Sequence, residues 1–342
     1  MPPAVPPSWG WARGSQQLRT VETEPLDYHR LLRGTPAYRW WKPLALLLLS
    51  GVFSGILTVV VTVAVLPVLM LPDPDYPTQV AAGTAAALDT QRPASVLVSM
   101  VSIIIMLPAV LLAMLVMGMR PIGRIWSVAA RMRWGLLGRL LGVSVLAIAV
   151  MNLVGIGVGV LLDSTTGPVA ATSETSFDPR AAVLSMLLVL LLVPLQSTAE
   201  EVVFRGLCMQ VLGSWLRNPW FAILIPSIGF ASLHIYDIWG LLAVGLLGAV
   251  SAWLTWRTGG LEAAIAIHIV NNYVAFGIMA SGLTGETAQT AGDGSVAGLI
   301  GQIAGLALFV WLTLRVFTRG GHGGQRIDLI QIPAAPQERG TR

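Results

Sequence analysis

The chain reads as a series of long apolar runs separated by short polar connections. Runs at about 44–71, 95–119, 136–162, 181–212, 219–236, 239–256, 260–280 and 296–316 are filled mainly by Leu, Val, Ile, Ala and Met. Each is close to or beyond the roughly 20 residues an α-helix needs to cross a bilayer. The pattern predicts an all-α polytopic membrane protein with eight spans. The first run begins only at Leu44 and is too long for the apolar core of a cleaved signal peptide, so it is expected to stay in the membrane. Polar stretches at 1–42 and 319–342 are expected to be disordered, cytoplasmic tails. Between them lie a first part, 43–180, with three spans and a basic connection, and a second part, 181–318, with the remaining spans.

Charge gives the runs a direction. Arg30, Arg33, Arg39 and Lys42 precede the first run, and Arg120, Arg124, Arg131, Arg133 and Arg139 lie between the second and third. Arg217 and Arg257 fall in later even-numbered connections, and Arg315, Arg319 and Arg326 follow the last run. The alternate connections carry Asp73, Asp75, Asp89, Glu174, Asp178, Glu286 and Asp293, with only Arg92 and Arg180 as bases. The positive-inside rule therefore places both termini in the cytoplasm. Residues 124–139 are either an amphipathic stretch on the inner membrane surface or an ordinary basic loop.

Composition narrows the class further. Of 342 residues, 55% are hydrophobic and 11% charged, and the mean hydropathy is +0.73, which excludes an ordinary soluble domain. The net charge of +4 points to the lipid bilayer and its anionic headgroups. No basic-aromatic patch suggests nucleic acid. The single cysteine, Cys208, excludes an intrachain disulfide and reads as a small buried residue. Lys42 is the only lysine among 21 basic residues, a codon bias that points to a bacterial plasma-membrane protein.

Against this background, Thr198-Ala199-Glu200-Glu201-Val202-Val203-Phe204-Arg205-Gly206 stands out inside an apolar run. An ionised group at mid-membrane costs about 2.5–3.5 kcal/mol on the insertion scale, so such groups persist when paired and usually when functional. Glu201 and Arg205 are four apart and can pair on one helix face. Glu200 points elsewhere and has no partner on its own helix, which marks it as the candidate general base. His234 closes Phe230-x-x-x-His234, and His268 opens His268-x-x-x-Asn272, each within one helical turn. Polar groups in lipid seek one another, so these residues are expected to form one cluster. Depth is a difficulty. Measured from inner ends near 219 and 260, His234 lies ~22 Å along its helix and His268 ~12 Å. Either Pro226 breaks the fifth span or that span starts deeper. The run 181–217, ~55 Å if helical, is also longer than a bilayer requires.

Glu-Glu-x-x-x-Arg, Phe-x-x-x-His and His-x-x-x-Asn, in that order on successive apolar helices, resemble the motifs of the CAAX protease and bacteriocin-processing (CPBP, or Abi) family. The resemblance covers about 180–316 and implies an intramembrane endopeptidase acting on a membrane-associated peptide or protein. It implies that Glu200 activates water, that His234 orients or shares the proton, and that His268 and Asn272 stabilise the oxyanion. Glu201 and Arg205 would brace the helix beside Phe230. Glu200, His234 and His268 would also be the donor set if zinc were used. Lack of His-Glu-x-x-His and the presence of a His/Asn oxyanion pair favour a metal-free glutamate mechanism. Two other functions stay open on the residues alone: a transporter with a Glu/His proton relay, and a non-catalytic immunity or scaffold protein. Polar residues that gather instead of stepping across the membrane favour the peptidase.

Overall fold

Helices long enough to satisfy their own backbone, and apolar enough to need no water, make up most of the described residues. The computed structural model describes residues 18–70, 74–166, 177–283, 285–292 and 294–333. In order the helices are α1 Lys42–Met70, α2 Tyr76–Ala81, α3 Pro93–Ile104, α4 Met106–Val116, α5 Trp134–Thr166, α6 Pro179–Glu201, α7 Met209–Gly213, α8 Pro219–Ser232, α9 Ile238–Thr258, α10 Glu262–Ser281 and α11 Val296–Arg319. A π-helical segment, Val202–Cys208, joins α6 to α7. Helix starts follow the local sequence. Asp178, Asn218, Asp237 and Ser295 each accept a backbone N–H in the first turn of α6, α8, α9 and α11. Gly259 and Gly282 close α9 and α10 with φ of 69° and 66°. Val63, Leu153 and Leu161 are each 70% exposed or more, an outer surface made for lipid.

Among the described residues seven helical stretches have the length and apolarity to cross a membrane. The protein is thus an all-α polytopic membrane protein, with one correction to the eight expected spans. Helix α8 has 14 residues, ~21 Å against a hydrocarbon layer of ~30 Å. Its end is set by His234, whose Nδ1 meets the Phe230 carbonyl at 2.9 Å. The last backbone bonds there tighten to i,i+3, from Leu233 to Phe230 and from His234 to Ala231.

The connections still sort into the two faces that the charges predict. On one face Asp237 N–H donates to Ala291 O (2.7 Å) and Thr90 N–H to Thr287 O (2.7 Å). On the other, Val128 N–H donates to Gly259 O (2.8 Å) and Arg33 reaches Ser214 O (2.9 Å). Asp73, Glu174 and Asp293 lie outside the described residues.

The basic face carries a folded cap where disordered tails were expected. Strand β1 (Leu18–Glu22) pairs antiparallel with β4 (Leu329–Pro333), and β2 (Leu26–Asp27) with β3 (Gln325–Arg326). A 3-10 segment, Tyr28–Gly34, buries Tyr28, Leu31 and Leu32 beneath them. Arg124 binds both carboxylate oxygens of Asp328 and donates to the Leu31 and Gly34 carbonyls. Burial would raise the Asp328 carboxyl, but Arg124 and then Arg326 outweigh it and hold it below the usual carboxylate range. The two tails pair with each other across the cap, and Arg124 ties both to the connection before α5. Residues 1–17 and 334–342 of those tails lie outside the described residues.

Packing between helices uses small residues. A Cβ at Gly301 would fall 2.3 Å from Met151 O, and one at Gly305 2.7 Å from Ala147 O. Helices α11 and α5 therefore approach backbone to backbone.

Candidate active site

The α6–π–α7 rod carries the two glutamates and the arginine. Past Glu201 it continues for ~20 Å before the turn at 214–218, and α8 then climbs ~17 Å to bring Phe230 back to the level of Arg205. The helix runs through Pro226 unbroken, so a break there is not the source of the depth difference. The widened π turns begin directly after Glu201, a feature common at functional sites.

Glu201 and Arg205 form the expected pair, 3.0 Å from Oε1 to NH1, with both side chains 1% exposed. Arg205 Nε and NH2 have no hydrogen-bond partner among the described residues. The guanidinium instead lies over the Phe230 ring, 4.4 Å from its centroid, a desolvated cation–π contact. Gly248 on α9 makes room for it, since a Cβ there would lie 2.8 Å from Arg205 NH2.

His268, on α10, lies between the two acids. Its Nδ1 is 2.7 Å from Glu201 Oε1 and its Nε2 is 3.1 Å from Glu200 Oε2. Glu200 therefore has a partner after all, supplied by another helix. The two acids differ in access: the Glu200 side chain is 12% exposed and that of Glu201 1%. Buried charge must be balanced locally. Arg205 and His268 are the groups placed to balance the two carboxylates.

Phe230 separates the two histidines, its centroid 4.8 Å from that of His234 and 5.9 Å from that of His268. The ring nitrogen contact of His234 is with the Phe230 carbonyl, and its ring also meets Tyr236 at 5.7 Å. Asn272 lies one turn beyond His268. Its Nδ2 donates to Gln196 Oε1 at 3.0 Å and lies 3.4 Å from Ser197 Oγ. Gln196 and Ser197 escaped sequence reasoning, although Gln196 is four residues before Glu200 on the same helix and so on the same face.

Residues 180–274 match the family described as Type II CAAX prenyl endopeptidase Rce1-like. That segment contains all three motifs. Residues 180–274 are thus a CPBP-like segment of the chain. Over 90 residues the chain is also 34% identical to the uncharacterized protein YyaK of Bacillus subtilis (strain 168). The match spans 24% of this chain and 30% of that protein's length. No solved structure matches the chain.

The CPBP segment does not gather the zinc donors that the motifs allow. Among the described residues no group of three His, Cys, Asp or Glu side chains is placed to hold a metal ion. Both nitrogens of His268 face carboxylates at hydrogen-bond distance, and His234 stands beyond Phe230.

Proposed function

We propose that the CPBP segment is the catalytic part of an intramembrane endopeptidase and that Glu200 is its general base. The observation that carries this reading is the buried chain Arg205–Glu201–His268–Glu200, closed at one end and accessible at Glu200. Arg205 holds Glu201 as a carboxylate. Glu201 accepts the Nδ1–H of His268, which fixes the ring and directs Nε2 at Glu200, the logic by which a buried acid orients a catalytic histidine. With Nε2 of His268 as its hydrogen-bond partner, Glu200 acts as a carboxylate able to take a proton from water.

The water oxygen then bonds to the scissile carbonyl carbon, its proton passes to Glu200, and the carbonyl π pair moves onto oxygen. The C–N bond breaks as that proton reaches the departing amine. Asn272 keeps one N–H on Gln196; its second, only loosely directed at Ser197, is the oxyanion donor. In this reading His268 takes the proton-sharing role that the motifs suggested for His234. His234 carries its proton at Nδ1, facing the Phe230 carbonyl, and keeps Nε2 for substrate or leaving amine. No step uses a metal.

The substrate is a membrane-associated peptide or protein of a bacterial plasma membrane. Comparing membrane-derived peptides from cells with wild-type protein and with Glu200→Ala tests the reading. Specific fragments should vanish in the variant. Identical peptide sets, together with proton uptake in liposomes that depends on Glu200, would replace the peptidase by a proton relay.

A further inference from the structure

A cavity of about 600 Å³ opens on the basic face, where α5 begins. Arg131, Arg133, Arg139 and His322 line it, and no acidic residue does. Arg133 is committed elsewhere: it forms a two-pronged pair with the buried Glu262 (2.7 and 2.9 Å) and donates to Thr258 O. Arg131 and Arg139 are exposed. Among the described residues neither has an ion-pair partner; Arg139 makes a single bond, to Gly135 O. His322 Nε2 is buried with no hydrogen-bond partner among the described residues. Burial, and then Arg133 and Arg139, hold its imidazole below the ordinary histidine value.

The loop that carries Arg131 is rigidly made. Ser127 Oγ donates to Arg131 O (2.6 Å), and Val128 N–H donates to Gly259 O across the loop. Ala130 has φ of 55°, a left-handed conformation that costs a non-glycine residue energy and persists where the surroundings enforce it. Met132 and Trp134 share the cavity wall, and Trp134, 73% exposed, opens the third apolar span as an interfacial aromatic.

We propose that this cavity binds a phosphate group, carried by an anionic phospholipid of the leaflet that the basic face meets. Two unpaired guanidiniums supply forked donors that match phosphate oxygens. The apolar wall beside them, at the start of a membrane span, suits a glycerol backbone and chain ends and offers nothing to a free ion. The site is independent of the peptidase reading and distinct from the glutamate cluster.

Native mass spectrometry of the purified full chain in detergent, titrated with phosphatidylglycerol or phosphatidylcholine, tests it. The wild type should retain phosphatidylglycerol preferentially. At roughly fivefold per arginine near a membrane surface, Arg131→Gln with Arg139→Gln should lose on the order of 30-fold in that preference. Arg139→Gln alone should lose roughly fivefold. Both side chains are exposed, so thermal unfolding of the variants should match the wild type. Unchanged preference in the double variant overturns the site. Displacement of the lipid by millimolar inorganic phosphate or glycerol phosphate overturns the lipid assignment in favour of a soluble ligand.

Discussion

His268 Nε2 lies 3.1 Å from Glu200 Oε2 while its Nδ1 lies 2.7 Å from Glu201 Oε1. One imidazole therefore joins the accessible acid to the buried one. If the ring shares the proton of Glu200, His268→Ala should lower kcat by about 10²-fold or more with little change in KM. His234→Ala, which removes a ring set edge-on to Phe230 and bonded among the described residues to neither acid, should cost less in kcat. Steady-state kinetics on a model peptide decides between them; equal losses, or a larger one at His234, would return the proton-sharing role to His234.

The Glu201–Arg205 pair predicts a stability effect. Removing one member of a buried pair strands the other, typically at a cost of about 3–5 kcal/mol. Arg205→Ala should lower the unfolding temperature in detergent, and adding Glu201→Ala should restore part of the loss. A double variant no more stable than the worse single one would show that the pair does not couple.

Gly248 should tolerate no side chain. Gly248→Ala places a methyl 2.8 Å from Arg205 NH2, and overpacking of this kind costs about 1–3 kcal/mol. Gly245→Ala, where the nearest atom is 3.6 Å away, should be close to neutral. Thermal unfolding of the two variants side by side checks the contrast, and equal behaviour would contradict the packing described.

Acid should loosen the cap. Asp328 is held below the usual carboxylate range in the folded protein. Its pairing therefore contributes stability above the unfolded value of about 3.9 and loses it as pH falls through the lower folded value. Asp328→Asn should remove that acid-dependent component and be less stable at neutral pH. Amide protection of residues 18–34 should be lower in the variant than in the wild type at pH 6, and the difference should shrink as pH falls and Asp328 of the wild type is protonated. Identical profiles would show that Asp328 does not hold the cap.

Sequence spacing made some of this legible and could not reach the rest. Runs of apolar residues located the helices, and the four-residue step from Glu201 to Arg205 foretold their ion pair, because both are properties of a single helix. The partner of Glu200 was hidden, since α10 reaches it across space and not along the chain. Gln196 and Ser197 were hidden for the same reason: alone they are ordinary polar residues in an apolar helix. The π turns after Glu201 leave no mark in hydropathy. The cap was misread because each tail is polar by itself, and the strands at 18–22 and 329–333 find each other only across the length of the chain.

The central claim is that Glu200 takes the proton of the attacking water. Glu200→Gln keeps the shape of the side chain and a hydrogen bond to His268 but cannot take that proton. Cleavage of a model peptide by the purified variant should fall by at least ~10²-fold, with thermal unfolding within a degree or two of the wild type. Glu201→Gln, in contrast, should lose stability first. A Glu200→Gln protein that is folded and cleaves at the wild-type rate would contradict the account.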